Sequence, residues 1–489
     1  MSQESDAPFF RALTALIAWS ILFSFGHLRD FVRKWVLWNR GPGTRKGYAP
    51  IRQDYEDFYT RRLYYRIHDC LNRPIASAPG SWIDMVERTP PSGQKLLVPT
   101  GKIRRCLNLG SYNYLGFAAA DEYCTPRVLQ ALTDHGWSMC ASRAELGTTP
   151  KHVELERCVA RFLGKEAAIT FGMGFATNSA IIPLLVSKGC LIISDALNHA
   201  SIVAGSRGSG AKVRVFRHND VEHLEALLRD SISAGQPRTH RPWRKILIIV
   251  EGIYSMEGEI VALPEIVALK KKYGAYLFLD EAHSIGALGK TGRGAAEHWG
   301  VDTADVDVMM GTFTKSFGAA GGYIASSRAV VDYVRAQGPA NLTATAMSPP
   351  IAEQIMAALD LIQGKDGSTR GAEKLQCLQD NALYFRQGLQ KMGCAVLGTG
   401  ASPIVPLMLY MPSNMTVFSR QCLKANIAVV VVGFPATPLL GTRVRFCLSA
   451  SHTRQDLDYA LKHIAGIANA CLLPVHGSRA DSKQALLKS

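Results

Sequence analysis

The sequence predicts an α/β fold: a large domain built on a mostly parallel sheet, a smaller carboxy-terminal α/β domain, and an amino-terminal membrane-associated helix ahead of both. Three observations lead there. From about residue 106 to 345 short apolar runs alternate with helical patterns, as in βαβ units. After Ser348-Pro349-Pro350 a helical stretch and two β-rich runs suggest a second unit. Near the start, Ala12 to Leu28 holds no Asp, Glu, Lys or Arg.

That charge-free stretch is at the short limit for a spanning helix. Directly after it Leu28, Phe31, Val32, Trp35 and Val36 recur at helical spacing, with Arg29, Arg33 and Lys34 on other faces, a pattern suited to a membrane interface. Whether residues 12–28 span the bilayer or lie on it stays open at this point. A helix buried against the protein or a partner is one competing reading, and a signal peptide flanked by Arg11 and ending at Ser24-x-Gly26 is another. Positive charge is heavier after the segment, at Arg29, Arg33, Lys34 and Arg40, which puts the rest of the chain on the cytoplasmic side.

Residues 1–45 are therefore expected to be anchor and linker, ending at the helix-breaking Gly41-Pro42-Gly43. An arm over 46–105, rich in Arg, Tyr and Asp and broken at Pro90-Pro91-Ser92-Gly93, carries no clear chemistry. The large, cofactor-binding domain follows over 106–348, with strands expected at Ala167–Phe171, Cys190–Ile193, Ile246–Val250, Leu277–Leu279 and Val306–Met310. The small domain, 349–475, opens with a helix over Ile351–Ile362 and holds the runs 428–432 and 443–448. The polar tail, 476–489, is expected to be mobile.

At 489 residues the chain is long enough for two or three units at roughly 150 residues each. The formal charge of +15 raises the question of nucleic acid, but the basic residues are scattered rather than gathered in an aromatic-interleaved stripe, which argues against it. An anionic lipid surface or coenzyme suits the charge better. The eleven cysteines are dispersed, without a CxxC pair or a histidine cluster at zinc spacing, so reduced thiols and no metal are expected.

The chemistry is concentrated at the ends of the expected strands, where an open parallel sheet binds its ligands. Gly311-Thr312-Phe313-Thr314-Lys315-Ser316-Phe317-Gly318 sets one lysine among small residues, and Tyr276 to Leu279 runs into Asp280-Glu281-Ala282-His283. Pyridoxal phosphate needs both kinds of group: an amine for a Schiff base and a carboxylate near the pyridine nitrogen. The glycine turn Phe171-Gly172-Met173-Gly174-Phe175 opens a helix where backbone N–H groups would hold a phosphate, and Thr312 can offer it a hydroxyl. His199, in Asp195-Ala196-Leu197-Asn198-His199, is placed where an imidazole could stack on a flat ring. Arg443 and Arg445 alternate in a strand and share a face, and arginine suits a substrate carboxylate. Each has a plain alternative: a surface lysine, a capping carboxylate, a capping histidine, a connector glycine, a surface-paired arginine. Their joint occurrence carries the reading.

Together with Glu251-Gly252-x-Tyr254-Ser255-Met256-Glu257-Gly258, these motifs resemble the α-oxoamine synthases, over roughly residues 105–470. These are fold-type I pyridoxal phosphate transferases with a seven-stranded-type sheet that condense an amino acid with an acyl-CoA and release carbon dioxide. The lysine segment and Gly433-Phe434-Pro435-Ala436-Thr437-Pro438 are similar to the eukaryotic branch that joins L-serine to palmitoyl-CoA, giving 3-ketosphinganine at the start of sphingolipid synthesis. The resemblance implies Lys315 as Schiff-base lysine and base at the α-carbon, and His199 as the other catalytic residue, stacked on the ring. It also implies Asp280 on the pyridinium nitrogen, His283 on the ring hydroxyl, Gly174, Phe175, Thr312 and Ser255 around the cofactor, and Thr345 reaching a neighbouring subunit's phosphate. Arg445 and Asn113 would bind substrate. It further implies a heterodimer with a lysine-lacking homologous subunit and an endoplasmic reticulum membrane location. One departure stands out: soluble homodimeric relatives carry an arginine where this chain has Gly433. The rival readings are a sister enzyme using glycine and a shorter acyl-CoA, and a non-catalytic scaffold subunit, against which Lys315 argues.

Overall fold

The computed structural model describes residues 9–36, 58–91 and 96–473. The linker at Gly41-Pro42-Gly43, part of the expected arm and the tail 476–489 lie outside the described residues.

Two antiparallel strands, β1 (Trp82–Thr89) and β2 (Val98–Asn108), form a hairpin, and β11 (Ile427–Ala428) joins β2 in parallel. The arm is thus tied to the carboxy-terminal region, and β2 crosses the boundary expected at 105/106. The central sheet has seven strands: β3 (Ala167–Phe171), β4 (Leu191–Asp195), β5 (Lys212–Phe216), β6 (Ile246–Glu251), β7 (Tyr276–Asp280), β8 (Val308–Thr312) and β9 (Gly322–Ser326). Their order is β3-β9-β8-β7-β6-β4-β5, with β9 antiparallel to both neighbours and all other pairs parallel. Ile192, Ile193, Ile248, Ile249, Leu277, Phe278 and Leu279 are buried, one face of the sheet feeding the main core and the other a second apolar cluster. Apolar side chains on both faces are what a helix-covered parallel sheet requires.

Since β9 alone runs backwards, the carboxyl ends of β3, β4, β6, β7 and β8 lie on one edge of the sheet, at Phe171, Asp195, Glu251, Asp280 and Thr312. The sequence motifs therefore share one rim. The expected strands are present within one to two residues. β5 and β9 were not foreseen: β5 is an edge strand with Lys212 and Val215 exposed, and β9 opens on Gly322 within a glycine-rich stretch.

The smaller sheet has the order β10-β13-β12, from β10 (Ile404–Tyr410), β12 (Val430–Val432) and β13 (Thr442–Cys447), all antiparallel. The apolar run 428–432 is divided between two sheets, because β11 pairs with β2 while β12 pairs with β13. The expected helix is present at Pro349–Ile362. One apolar core runs from Leu279 and Phe313 of the large unit to Phe385, Phe418 and Phe446 of the small one.

The amino-terminal segment is one continuous helix, Phe9–Val36. Its stretch Phe9–Val32 is long and apolar enough to cross a membrane by length and composition, with a hydropathy of 1.6. One face nevertheless lies along the protein. Arg11 sits 5.7 Å from the Tyr410 ring centroid, Trp19 is buried, His27 stacks on Phe58 at 4.3 Å, and Asp30 pairs with Arg62. The opposite face exposes Leu13, Ile17, Ile21, Phe25, Leu28, Phe31 and Trp35.

Candidate active site

β7 delivers Asp280 to the rim, where its position is fixed by two donors. Asn178 Nδ2 donates to Oδ2 at 2.7 Å and the Ala282 N–H to Oδ1 at 2.8 Å. Asn178 also donates to Ser201 Oγ at 3.0 Å, so the helices after β3 and β4 are tied to this carboxylate. Neither Asn178 nor Ser201 was singled out from the sequence. The spacing that would have flagged Asn178, four residues after Gly174 on the helix Gly174–Leu185, only gains meaning once that helix points at β7.

Lys315 follows β8. Burial pushes its amine down to about 8, with Asp280 and Glu251 opposing the shift. The two carboxylates are register partners on β6 and β7. Glu251 is fully buried and accepts the His199 backbone N–H; burial, followed by the charge of Asp280, drives its carboxyl well up. Two neighbouring carboxylates in a dry site resist joint ionisation. Of the two, Glu251 has the fewer donors.

His283 is buried with Nδ1 2.8 Å from Tyr114 Oη. Burial, then the cations Lys315 and Arg445, push the imidazole well down, and burial pushes the Tyr114 phenol well up. One proton is shared between the phenol oxygen and Nδ1 in that contact. Tyr112 packs edge-on to His283 at 5.1 Å, and its ring lies 5.7 Å from Lys315 Nζ and 4.6 Å from the Arg445 guanidinium. The two tyrosines on either side of Asn113 are thus site walls that sequence reading passed over. Asn113 itself spends its side chain on the loop, donating to the Pro79 carbonyl at 2.9 Å and accepting from the Ala118 N–H at 3.2 Å.

His199 caps the helix Ala200–Gly208, Nδ1 accepting from the Ser201 N–H at 3.2 Å. The capping alternative therefore describes its contacts, but the cap also aims the ring: Phe175 meets it edge-on at 6.2 Å, and burial, Asp280 and Lys315 all act on its charge. Asp195 lies beneath, accepting from the Leu197 N–H at 2.8 Å and from His218 Nδ1 at 2.8 Å, and so shapes the turn that carries His199.

The two arginines of β13 differ in their partners. Arg443 donates to Glu257 Oε1 at 3.1 Å and to the Met256 and Gly441 carbonyls. Arg445 has no carboxylate partner among the described residues, and its Nε is buried without a hydrogen bond. A buried guanidinium with unused donors calls for an anion.

The helix Gly174–Leu185 starts without a side-chain cap, leaving its first N–H groups free for one as well. The glycines keep this cradle open: a Cβ at Gly174 would lie 2.7 Å from Thr312 Oγ1, and one at Gly322 would lie 2.8 Å from Thr177 Oγ1. Thr312 donates to the Gly321 carbonyl at 2.9 Å and touches Thr314 Oγ1 at 2.8 Å, so two hydroxyls meet at the cradle. The Thr345 carbonyl lies beyond Gly172, and Thr345 is exposed, bridged to Ser142. Ser255 sits half-buried in the turn after β6. A flat aldehyde cofactor with a phosphate fits this donor set: free N–H groups at one end, a carboxylate at the other, an amine between.

The comparisons with known proteins agree with that geometry. Residues 104–464 match the family model for aminotransferase class I and II. Long chain base biosynthesis protein 2a of Arabidopsis thaliana is 59% identical over 94% of this chain and 94% of its own length. Serine palmitoyltransferase 2 of Dictyostelium discoideum is 50% identical, covering 96% of both chains, and serine palmitoyltransferase 3 of Homo sapiens is 52% identical over 94% of this chain and 84% of that one. Among solved structures, Sphingomonas wittichii serine palmitoyltransferase aligns with 28% identity and a TM-score of 0.76 over 87% of this chain and all of that one. A high-resolution structure of SPT with PLP gives a TM-score of 0.75 at 29% identity, over 86% and 99% of the two chains. A rim of strand ends that carries lysine, aspartate and two histidines, together with identity of this extent, makes the chain a member of the aminotransferase class I and II family and, within it, of the serine palmitoyltransferase and long chain base biosynthesis protein 2 family.

Proposed function

We propose that this chain is the catalytic subunit of a serine C-palmitoyltransferase, joining the α-carbon of L-serine to the acyl carbon of palmitoyl-CoA. CoA and carbon dioxide leave, and 3-ketosphinganine forms. The observation that carries the reading is Lys315, half-buried after β8 with its amine pushed down to about 8, its Nζ 5.7 Å from the Tyr112 ring, and Arg445, without a carboxylate partner among the described residues, 4.6 Å from that same ring.

Pyridoxal phosphate, when bound, supplies an electron-accepting ring that stabilises negative charge at the substrate's α-carbon. The residues that would hold it are Asp280 at the ring nitrogen, His283 at the ring hydroxyl, and His199 on the ring face. Gly174, Phe175, Thr312 and Thr314 would hold the phosphate, with Ser255 nearby and Thr345 facing a second subunit. Arg445 would take the serine carboxylate as a bidentate partner, and Lys315 would take the proton from the α-carbon. Asn113 would act by holding the tyrosine-bearing loop. An amine that titrates near 8 suits this work, being cationic and basic in turn close to neutral pH.

The exposed stripe from Leu13 to Trp35 supports a membrane location for the helix, lying in the interface, because its other face is docked on the protein from Arg11 to Asp30. Both the acyl donor and the product are amphiphiles that partition there. The endoplasmic reticulum membrane with the site facing the cytosol, and a heterodimer with a lysine-lacking homologue, complete the reading.

The test is to reduce the cofactor-loaded complex with borohydride and map the modification. A pyridoxyl adduct on Lys315 is expected, and Lys315→Ala abolishes turnover of serine with palmitoyl-CoA. An unmodified Lys315, or full activity in the variant, would falsify the reading.

A further inference from the structure

The turn between β12 and β13, residues 433–441, is where the amino-terminal helix meets the catalytic rim. Trp19 Nε1 donates to the Leu439 carbonyl at 2.9 Å across 420 positions of sequence. The Phe434 ring is enclosed by Trp19 at 5.8 Å, Phe23 at 6.2 Å and Tyr59 at 6.4 Å, and Trp19 stacks on Phe23 at 5.3 Å. The helix is itself held in register at its other end: Gly26 packs so tightly on Phe58 that a Cβ would lie 2.5 Å from the ring, and Asp30 pairs with Arg62.

Thr437, in the middle of the turn, is buried. The turn's internal bonds are local, Ala436 and Gly441 N–H to the Gly433 and Pro438 carbonyls at 3.0 and 2.8 Å. Its inner end is joined to the site. Arg443 donates to Gly441 O at 2.7 Å and to Met256 O at 2.8 Å, and Met256 Sδ lies 3.6 Å from Arg445 Nη1. The path from Trp19 to the unpaired guanidinium is therefore short and made of packed groups.

We propose that Trp19 is a positioning residue: with Phe23 it clamps the 433–441 turn, and the clamped turn holds Arg443, Met256 and Arg445 in register for the substrate carboxylate. A helix of membrane-anchor character thereby becomes part of the framework of the active site. The clamp stands on geometry alone; its kinetic consequence rests on the functional reading above.

The experiment uses the full complex in detergent, so that membrane binding does not enter. Trp19→Ala should remove amide-exchange protection across 433–441 and raise KM for L-serine at least about fivefold, with kcat within about twofold. Trp19→Phe, which keeps an aromatic ring but loses the indole N–H and part of the packing area, should give an intermediate loss of protection. Phe25→Ser, on the outer face, should leave exchange of the turn as in the wild type. Unchanged exchange at 433–441 in Trp19→Ala overturns the proposal. So does an equal effect from Phe25→Ser, or a fall in kcat with no change in KM. Should the wild-type complex fail to use serine and palmitoyl-CoA, the functional reading falls, and the exchange measurement still decides the clamp.

Discussion

At Lys315 the physical effect that matters is desolvation. An ordinary lysine at 10.5 holds only about one neutral amine in three thousand at pH 7, whereas one lowered to about 8 holds about one in ten. In the proposed role the neutral amine is the nucleophile toward an aldehyde, and the depressed value would speed capture at neutral pH. The expected profile for apo-protein mixed with pyridoxal phosphate is a rate that climbs about tenfold per pH unit below 8 and levels off above it. Stopped-flow absorbance checks this, and a climb that continues toward 10.5 would show that burial does not set the amine's charge. At the same scale, the alternatives weighed for single residues prove to be partly true together. His199 is a helix cap, and Asp280 does accept a local backbone N–H, from Ala282. Those contacts are the means by which each side chain is held rigid at the rim.

At the scale of elements, the cradle depends on a strand-to-helix turn that has room for nothing larger than glycine. Gly174→Val would drive side-chain atoms into Thr312 and obstruct the uncapped start of the helix Gly174–Leu185. The expected outcome is a cofactor affinity lowered at least about tenfold, measured by fluorescence quenching of the apo-protein, with far-ultraviolet dichroism unchanged. Equal affinity would remove the phosphate role from that turn. The strands bearing the motifs were legible because they are buried on both faces and so read as continuous apolar runs. β5 and β9 were not: an edge strand alternates with charge, and β9 is five residues long and follows directly on a glycine-rich stretch. The walls Tyr112 and Tyr114, and the brace Asn178, were missed because only the approach of distant segments to β7 and β13 gives them a role.

For the whole molecule, the amino-terminal helix is two-faced. One side buries Trp19 and pairs Asp30, while the other exposes aliphatic and aromatic side chains in a stripe. Combined with a formal charge of +15, that stripe should favour anionic bilayers. In flotation with vesicles containing phosphatidylserine, the complex is expected to bind, and Phe25→Ser with Phe31→Ser to weaken binding at least about tenfold. Retention of both variants on the vesicles would assign membrane attachment to another surface. The eleven cysteines are all free thiols, eight of them buried, in keeping with a reduced protein stabilised by its core.

The proposed site was readable in one dimension because its candidate groups sit at or just after the ends of strands, and a parallel sheet brings consecutive strand ends to one rim whatever the loops do. Lys315, Asp280, His283 and the glycine turn are of this kind. The choice between Arg443 and Arg445 could not be made that way: both alternate onto one face, and only the docking of Glu257 against the first leaves the second without a carboxylate partner among the described residues. Nor could the fate of the apolar helix. Composition permits it to cross a bilayer, but its contacts from Arg11 to Asp30 lay it along the protein and onto the 433–441 turn, through packing between segments some four hundred residues apart.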